Sequence, residues 1–273
     1  MARRPADVAL AATLHDPSGA LLADIRRGLP MLARLYRRVA VTTSPPTAAR
    51  VRRLLEDAGV HAGTPASNVR GPLYRMAIRG ALASDAARVH YLDFDRALHW
   101  LPRARELASV LRRASRHDVL LVGRTPKAHR SHHRPLYATE EVVGRLLAAR
   151  LGLAGRVDFL VPSFVVTRAG ATRLLARSRA RDATVYGEWA ARLAGLGEIA
   201  YVECRGLDWE TPDRARAAVR RQGLARWRAR WDTAAEWRAR ETMAAEIVRG
   251  FGRALARWPV RHAVLRRARP CGA

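Results

Sequence analysis

Asp93-Phe94-Asp95 is the segment of this chain with the clearest capacity for chemistry. It follows the apolar run Val89-His90-Tyr91-Leu92, and Arg96 comes directly after it. In extended backbone, residues two apart point to the same side, so the two carboxylates would converge at a strand's end. Two hard oxygen donors that close suit Mg²⁺ or Mn²⁺, which keep coordination positions for phosphate oxygens. A metal held there can bridge a diphosphate and stabilise the charge that develops as it leaves. Arg96 adds a fixed cation beside the pair.

Other reactive types are scattered. The stretch from Arg124 to Pro135 holds Lys127, His129, His132 and His133 and reads as a basic loop after a buried strand. Such a loop could clamp phosphates or lend a histidine to a metal; it also reads as a mobile surface loop. His15 closes the first apolar run, where it could line a nucleotide pocket, and His90 reads as a packed strand residue. The chain has no Walker loop, no Gly-x-Gly-x-x-Gly and no Gly-x-Ser-x-Gly elbow.

These residues need a scaffold, and the first two-thirds of the chain alternates strand-like with helix-like segments. Val8–Leu14, Val39–Thr43, Val60–Ala62, Val89–Phe94, Val119–Gly123, Phe159–Thr167 and Ile199–Cys204 read as strands. Between them, Leu21–Tyr36, a helix capped by Thr47, Gly71–Ser84, Pro102–Ala114, Thr139–Leu151 and Ala169–Arg177 read as helices. The alternation predicts an α/β domain with a mostly parallel sheet, in which ligands bind beyond the carboxyl ends of the strands. After about Asp213 the strand signal stops. The expected organisation is a domain over 1–212 and a basic, Trp- and Arg-rich helical extension over 213–273, either packing its aromatic stripe on the domain or resting on anionic lipid.

Composition bounds the possibilities. With 273 residues, 49% of them hydrophobic, the chain can bury a sizeable core. Its net charge of +26 comes almost wholly from arginine, since Lys127 is the one lysine. The charge points either to a polyanionic partner or to solvated arginine-rich helix faces. Cys204 and Cys271 suggest neither a disulfide framework nor a zinc site. No apolar run approaches the roughly 20 residues of a membrane span, so a cytoplasmic protein with peripheral membrane contact is expected.

The stretch from Asn68 to Asp95 resembles the core of family 2 glycosyltransferases. It carries Asn68, Gly71, Arg75, Ala77, Gly80 and Ala81, then Tyr91-Leu92-Asp93-Phe94-Asp95. The resemblance implies a GT-A-like, Rossmann-like fold, a nucleotide-diphospho-sugar donor, and Mn²⁺ or Mg²⁺. It also implies that Asp95 binds the metal and Asp93 faces the donor; Asn68, Arg70, Arg75, His15 and Arg96 are expected around the donor. A second segment, Gly187 to Val202, is similar to the family's acidic pair, helix and closing strand. Glu188 matches the first acidic position, but Trp189 stands where the family places a catalytic Asp. Either Glu188 is the general base, or the base lies elsewhere, or the transfer is not inverting. Trp189 could instead wall a sugar site. The second strand ends Thr42-Thr43-Ser44-Pro45, without the Asp that contacts the base in this family, so the base stays open.

The expectation is therefore a metal-dependent glycosyltransferase acting on an unknown acceptor, lipid-linked or glycan. Two alternatives stand beside it: a nucleic-acid-binding α/β protein with a metal site, and an inactive protein of the same fold.

Overall fold

The computed structural model describes residues 6–160, 162–258 and 264–268, so Cys271 lies outside the described residues. The elements run β1 (Ala6–Leu14), α1 (Leu22–Leu35), β2 (Tyr36–Thr43), α2 (Ala49–Asp57), β3 (His61–Gly63), α3 (Arg70–Leu82), β4 (Arg88–Asp93) and α4 (Phe94–Trp100). They continue with α5 (Ala104–Ala114), β5 (Val119–Arg124), α6 (Pro126–Ser131), α7 (Arg134–Arg150), β6 (Phe164–Thr167), α8 (Arg168–Arg177), α9 (Thr184–Ala194) and β7 (Ile199–Cys204). The last part holds α10 (Arg216–Gln222), α11 (Leu224–Ala229), α12 (Ala234–Arg257) and β8 (Leu265–Arg267).

The strands form one sheet in the order β3-β2-β1-β4-β6-β5-β7-β8. All neighbours pair parallel except β6, which runs antiparallel to β4 and β5. The expected mostly parallel α/β sheet is present.

The central strands are buried on both faces, so they read as continuous apolar runs. Along β1, Val8, Leu10, Ala12 and Leu14 join a core with α1, α2, α4 and α5. Ala9 and Ala11 turn to the opposite core, built with α3, α7, α8, α9 and α12. Small side chains let helix and sheet come close: a Cβ on Gly80 of α3 would stand 2.5 Å from Ala62 Cβ on β3.

Several local expectations are corrected. Strand β4 ends at Asp93, and Phe94 opens α4, so Asp95 lies in the first turn of a helix and not on extended backbone. The 124–135 stretch is not a loop: α6 and the start of α7 occupy it, and Thr125 caps α6 by accepting from the Ala128 N–H. Its histidines are buried because they pack inward, with His133 stacked on Trp231 at 5.5 Å. Thr47 does not cap α2; its hydroxyl donates to the Leu14 carbonyl. The tail is not purely helical, since β8 extends the sheet beside β7. Ile247, Phe251 and Ala254 of α12 enter the core against α9.

Candidate active site

A cleft of about 540 Å³ opens beyond the carboxyl ends of β1 and β4, the edge where parallel sheets place ligands. Thr13, Leu14 and His15 reach it from β1 and its following turn. Asp93 and Asp95 reach it from the β4–α4 junction. Asn68, Val69 and Arg70 border it at the start of α3, with Leu73 and Tyr74 one turn further on. The strand-to-helix junction thus brings the two aspartates to one cavity by a different route from the extended geometry expected.

Each carboxylate is held. Thr13 Oγ1 donates to Asp93 Oδ1 at 2.8 Å. Arg96 Nε lies 3.8 Å from Asp93 Oδ2, and Arg96 Nη1 lies 3.3 Å from Glu210 Oε2. Burial, and then the neighbouring Asp95 charge, push Asp93 up to about 7 against the pull of Arg96. Arg214 Nη2 donates to Asp95 Oδ2 at 2.8 Å, while its Nη1 donates to the His15 carbonyl at 2.6 Å. Burial, and then the Arg214 charge, lower the His15 pKa; its Nδ1 is 2.8 Å from Ser44 Oγ.

Arg214 is itself positioned. Residues 208–213 are fixed by His99, whose Nε2 is 2.9 Å from Asp208 Oδ1 and whose Nδ1 is 2.7 Å from Asp213 Oδ2. Burial alone would lower the His99 pKa, but the hydrogen bonds it donates to both aspartates raise it to about 9.

Asp182 also lines the cleft, on the turn between α8 and α9. A close backbone approach holds that turn in place. A Cβ on Gly71 would stand 2.0 Å from the Ala180 carbonyl oxygen, and the Gly71 N–H donates to the Arg181 carbonyl at 2.7 Å. Arg75 Nη1 donates to the Ala180 carbonyl at 2.7 Å. Arg75 therefore grips the turn and does not line the cleft. Hydrogen bonds from Thr184 hold the Asp182 carboxyl below its usual pKa.

Glu188 lies elsewhere. Its carboxylate accepts from Ser178 Oγ at 2.7 Å and from the Arg179 and Ala180 N–H groups, so it braces the same turn from the other side. Trp189 is no wall for a sugar: it is 4% exposed, edge-on to Tyr91 and Phe164, and donates to Ser178 Oγ. His90 is packed as expected, between Tyr36 Oη and Ser163 Oγ, and burial pushes it down to about 3. His129, His132 and His133 do not line the cleft. His129 stands near Glu140 and Glu141, and His132 lies 3.8 Å from Glu210.

No protein-family model matches the chain, and no curated protein matches it in sequence. Among solved structures, glucosyl-3-phosphoglycerate synthase from Mycobacterium tuberculosis, in complex with Mn²⁺, UDP and phosphoglyceric acid, is similar. It is 17% identical, with TM-score 0.51, over 84% of this chain and 79% of that one. Mannosyl-3-phosphoglycerate synthase from Rubrobacter xylanophilus is 13% identical, with TM-score 0.49, over 92% of this chain and 74% of that one. The chain has the GT-A fold.

Within this GT-A sheet, a divalent metal is chemically consistent with the aspartate pair. Both donors are hard oxygens, both line the cleft, and a cation would oppose the burial and the Asp95 repulsion that together raise Asp93. Among the described residues no three His, Cys, Asp or Glu side chains gather into a cage. A metal would therefore rest on Asp93, Asp95 and oxygens from the ligand. Sequence reasoning missed Thr13, Tyr74, Asp182 and Arg214. Arg214 is one arginine in a run of many, and Asp182 belongs to a polar turn with no motif of its own.

Proposed function

We propose that the chain is a glycosyltransferase that binds a nucleotide-diphospho-sugar in the cleft and passes the sugar to an acceptor hydroxyl. The observation that carries this reading is the convergence of Asp93 and Asp95 in a polar cleft of about 540 Å³ at the ligand edge of a GT-A sheet. That the similar glucosyl-3-phosphoglycerate synthase was solved with Mn²⁺ and UDP supports the same ligand class.

Asp93 and Asp95 would hold Mn²⁺ or Mg²⁺, which supplies charge neutralisation for a departing diphosphate. Arg70 and Arg214 add fixed cations to the same cleft. Thr13 orients Asp93 so that its second oxygen stays available. Arg214 now occupies Asp95 Oδ2, so donor binding would divide that guanidinium between carboxylate and phosphate. Asp182, ionised at neutral pH, replaces Glu188 as the carboxylate suited to accept a proton from the acceptor hydroxyl. The reading includes a lipid-linked or glycan acceptor met at the cytoplasmic face of an anionic membrane. The net charge of +26 and the exposed arginines of α12 support that part. Among the described residues no helix is long and apolar enough to cross a membrane. Phosphodiester chemistry by two metals is less well supported, because among the described residues no third acid stands close enough to share a metal with the aspartates.

Thermal unfolding with Mn²⁺ and a panel of nucleoside diphosphates tests the reading. A ligand at about 100 times its Kd stabilises the fold by about 2.7 kcal/mol, and Asp93→Ala with Asp95→Ala should remove that gain. If no nucleoside diphosphate stabilises the wild type, or if the double variant keeps the full effect, the proposal fails.

A further inference from the structure

A second cavity, of about 210 Å³, lies between α9 and α12, away from the aspartates. The two helices touch backbone to backbone. A Cβ on Gly187 would stand 1.9 Å from the Ile247 carbonyl oxygen, and one on Gly250 would stand 2.1 Å from that of Thr184. Beside this contact, Arg179, Arg192, Arg253 and Arg257 surround the cavity with Glu188.

The charges there are not balanced. Glu188 is the one carboxylate on the wall, and its oxygens are engaged by Ser178 Oγ and the Arg179 and Ala180 N–H groups. None of the four arginines makes an ion pair within 4.0 Å among the described residues. Arg192 is 7% exposed, and its Nε and Nη1 are buried without a hydrogen-bond partner among the described residues. Its guanidinium and that of Arg177 lie over the Trp258 ring, at 5.4 and 4.5 Å. A buried guanidinium with unmet N–H groups is costly, and three more cations around it add repulsion. An anion that accepts several N–H bonds at once would satisfy both. The cavity is smaller than the roughly 300–1,000 Å³ of drug-sized ligand sites, which fits a small, highly charged group.

We propose that this cavity binds a multiply charged phosphate anion of the diphosphate class through Arg179, Arg192, Arg253 and Arg257. Occupancy would grip Arg179 on the turn that carries Asp182, and so steady the edge of the donor cleft from behind. The phosphate could come from a free anion or from a lipid headgroup.

Calorimetric titration of the full chain with inorganic pyrophosphate, without divalent metal, tests the free anion. Sedimentation with vesicles carrying a lipid diphosphate, against phosphatidylcholine vesicles, tests the headgroup. Arg253→Ala with Arg257→Ala changes two exposed side chains and should weaken binding about tenfold or more, each lost charge-assisted contact counting for about that much. Arg192→Met should do the same, while Arg53→Ala, an exposed side chain of α2 outside both cavities, should leave binding unchanged. Loss in the pyrophosphate arm identifies a free anion, loss in the vesicle arm a headgroup, and either supports the site. Binding unaffected by the Arg253 and Arg257 substitutions, binding abolished by Arg53→Ala, or no binding in either arm would overturn it.

Discussion

His99→Gln should change how stability depends on pH, and the size of the effect follows from the structure. His99 sits near the end of α4 with both ring nitrogens on carboxylates, Asp208 at 2.9 Å and Asp213 at 2.7 Å. Its pKa rises from 6.5 to about 9. At about 1.36 kcal/mol per pKa unit, protonation contributes at most about 3 kcal/mol to folding. The folded protein keeps this proton to a higher pH than the unfolded chain does. The contribution is therefore complete below about pH 6.5 and is lost as pH rises through about 9. Urea unfolding of wild type and His99→Gln between about pH 6 and about pH 10 isolates the effect, because other titrations cancel in the difference. The wild type should lead by up to about 3 kcal/mol at the acid end and lose that lead at the alkaline end. A difference that stays flat across this range would refute the assignment of charge to His99.

Three further outcomes are expected. Glu188→Gln should cost about 1.5–3 kcal/mol of stability by weakening charge-assisted bonds to the 178–180 turn, while Asp182→Asn leaves the melting temperature unchanged and abolishes transfer; the opposite pattern would restore Glu188 as the base. Gly71→Ala puts a Cβ 2.0 Å from the Ala180 oxygen, so it should cost about 1–3 kcal/mol and weaken nucleoside diphosphate binding, measured by calorimetry. Arg124→Met should destabilise by about 3–5 kcal/mol, because it strands the buried Asp158 and Glu140 that the guanidinium joins; denaturant unfolding reads this directly.

Strand periodicity was the most legible part of the sequence, because strands buried on both faces must be apolar throughout. The aspartate pair was legible too, since few segments put two acids behind an apolar run. The geometry around it was less so. Phe94 is as compatible with the end of a strand as with the first turn of a helix, and tertiary packing decides for the helix. The histidines of 124–134 look like loop residues by composition, yet Arg124, Glu140 and Asp158 draw that segment into an ionic interior. Such pairing across 34 residues leaves no periodic trace. Glu188 illustrates another limit: a carboxylate on a helix gives no sequence signal for whether it faces ligand or braces backbone. From the sequence, Gly71 and Arg75 look like part of an approach to the donor. What they do is fix the turn that carries Asp182.

The glycine contact between α9 and α12 also sets an order of events while the chain is being made. The side of α9 that carries Thr184 and Gly187 leaves the ribosome well before Ile247 and Gly250, which close on it. At roughly 5–20 residues per second, the nascent chain carries that face uncovered for several seconds. During that interval the helix is a place for a holding chaperone or for aggregation. Docking of α12 then closes the face, so the interior is sealed only after the whole intervening segment has also been made.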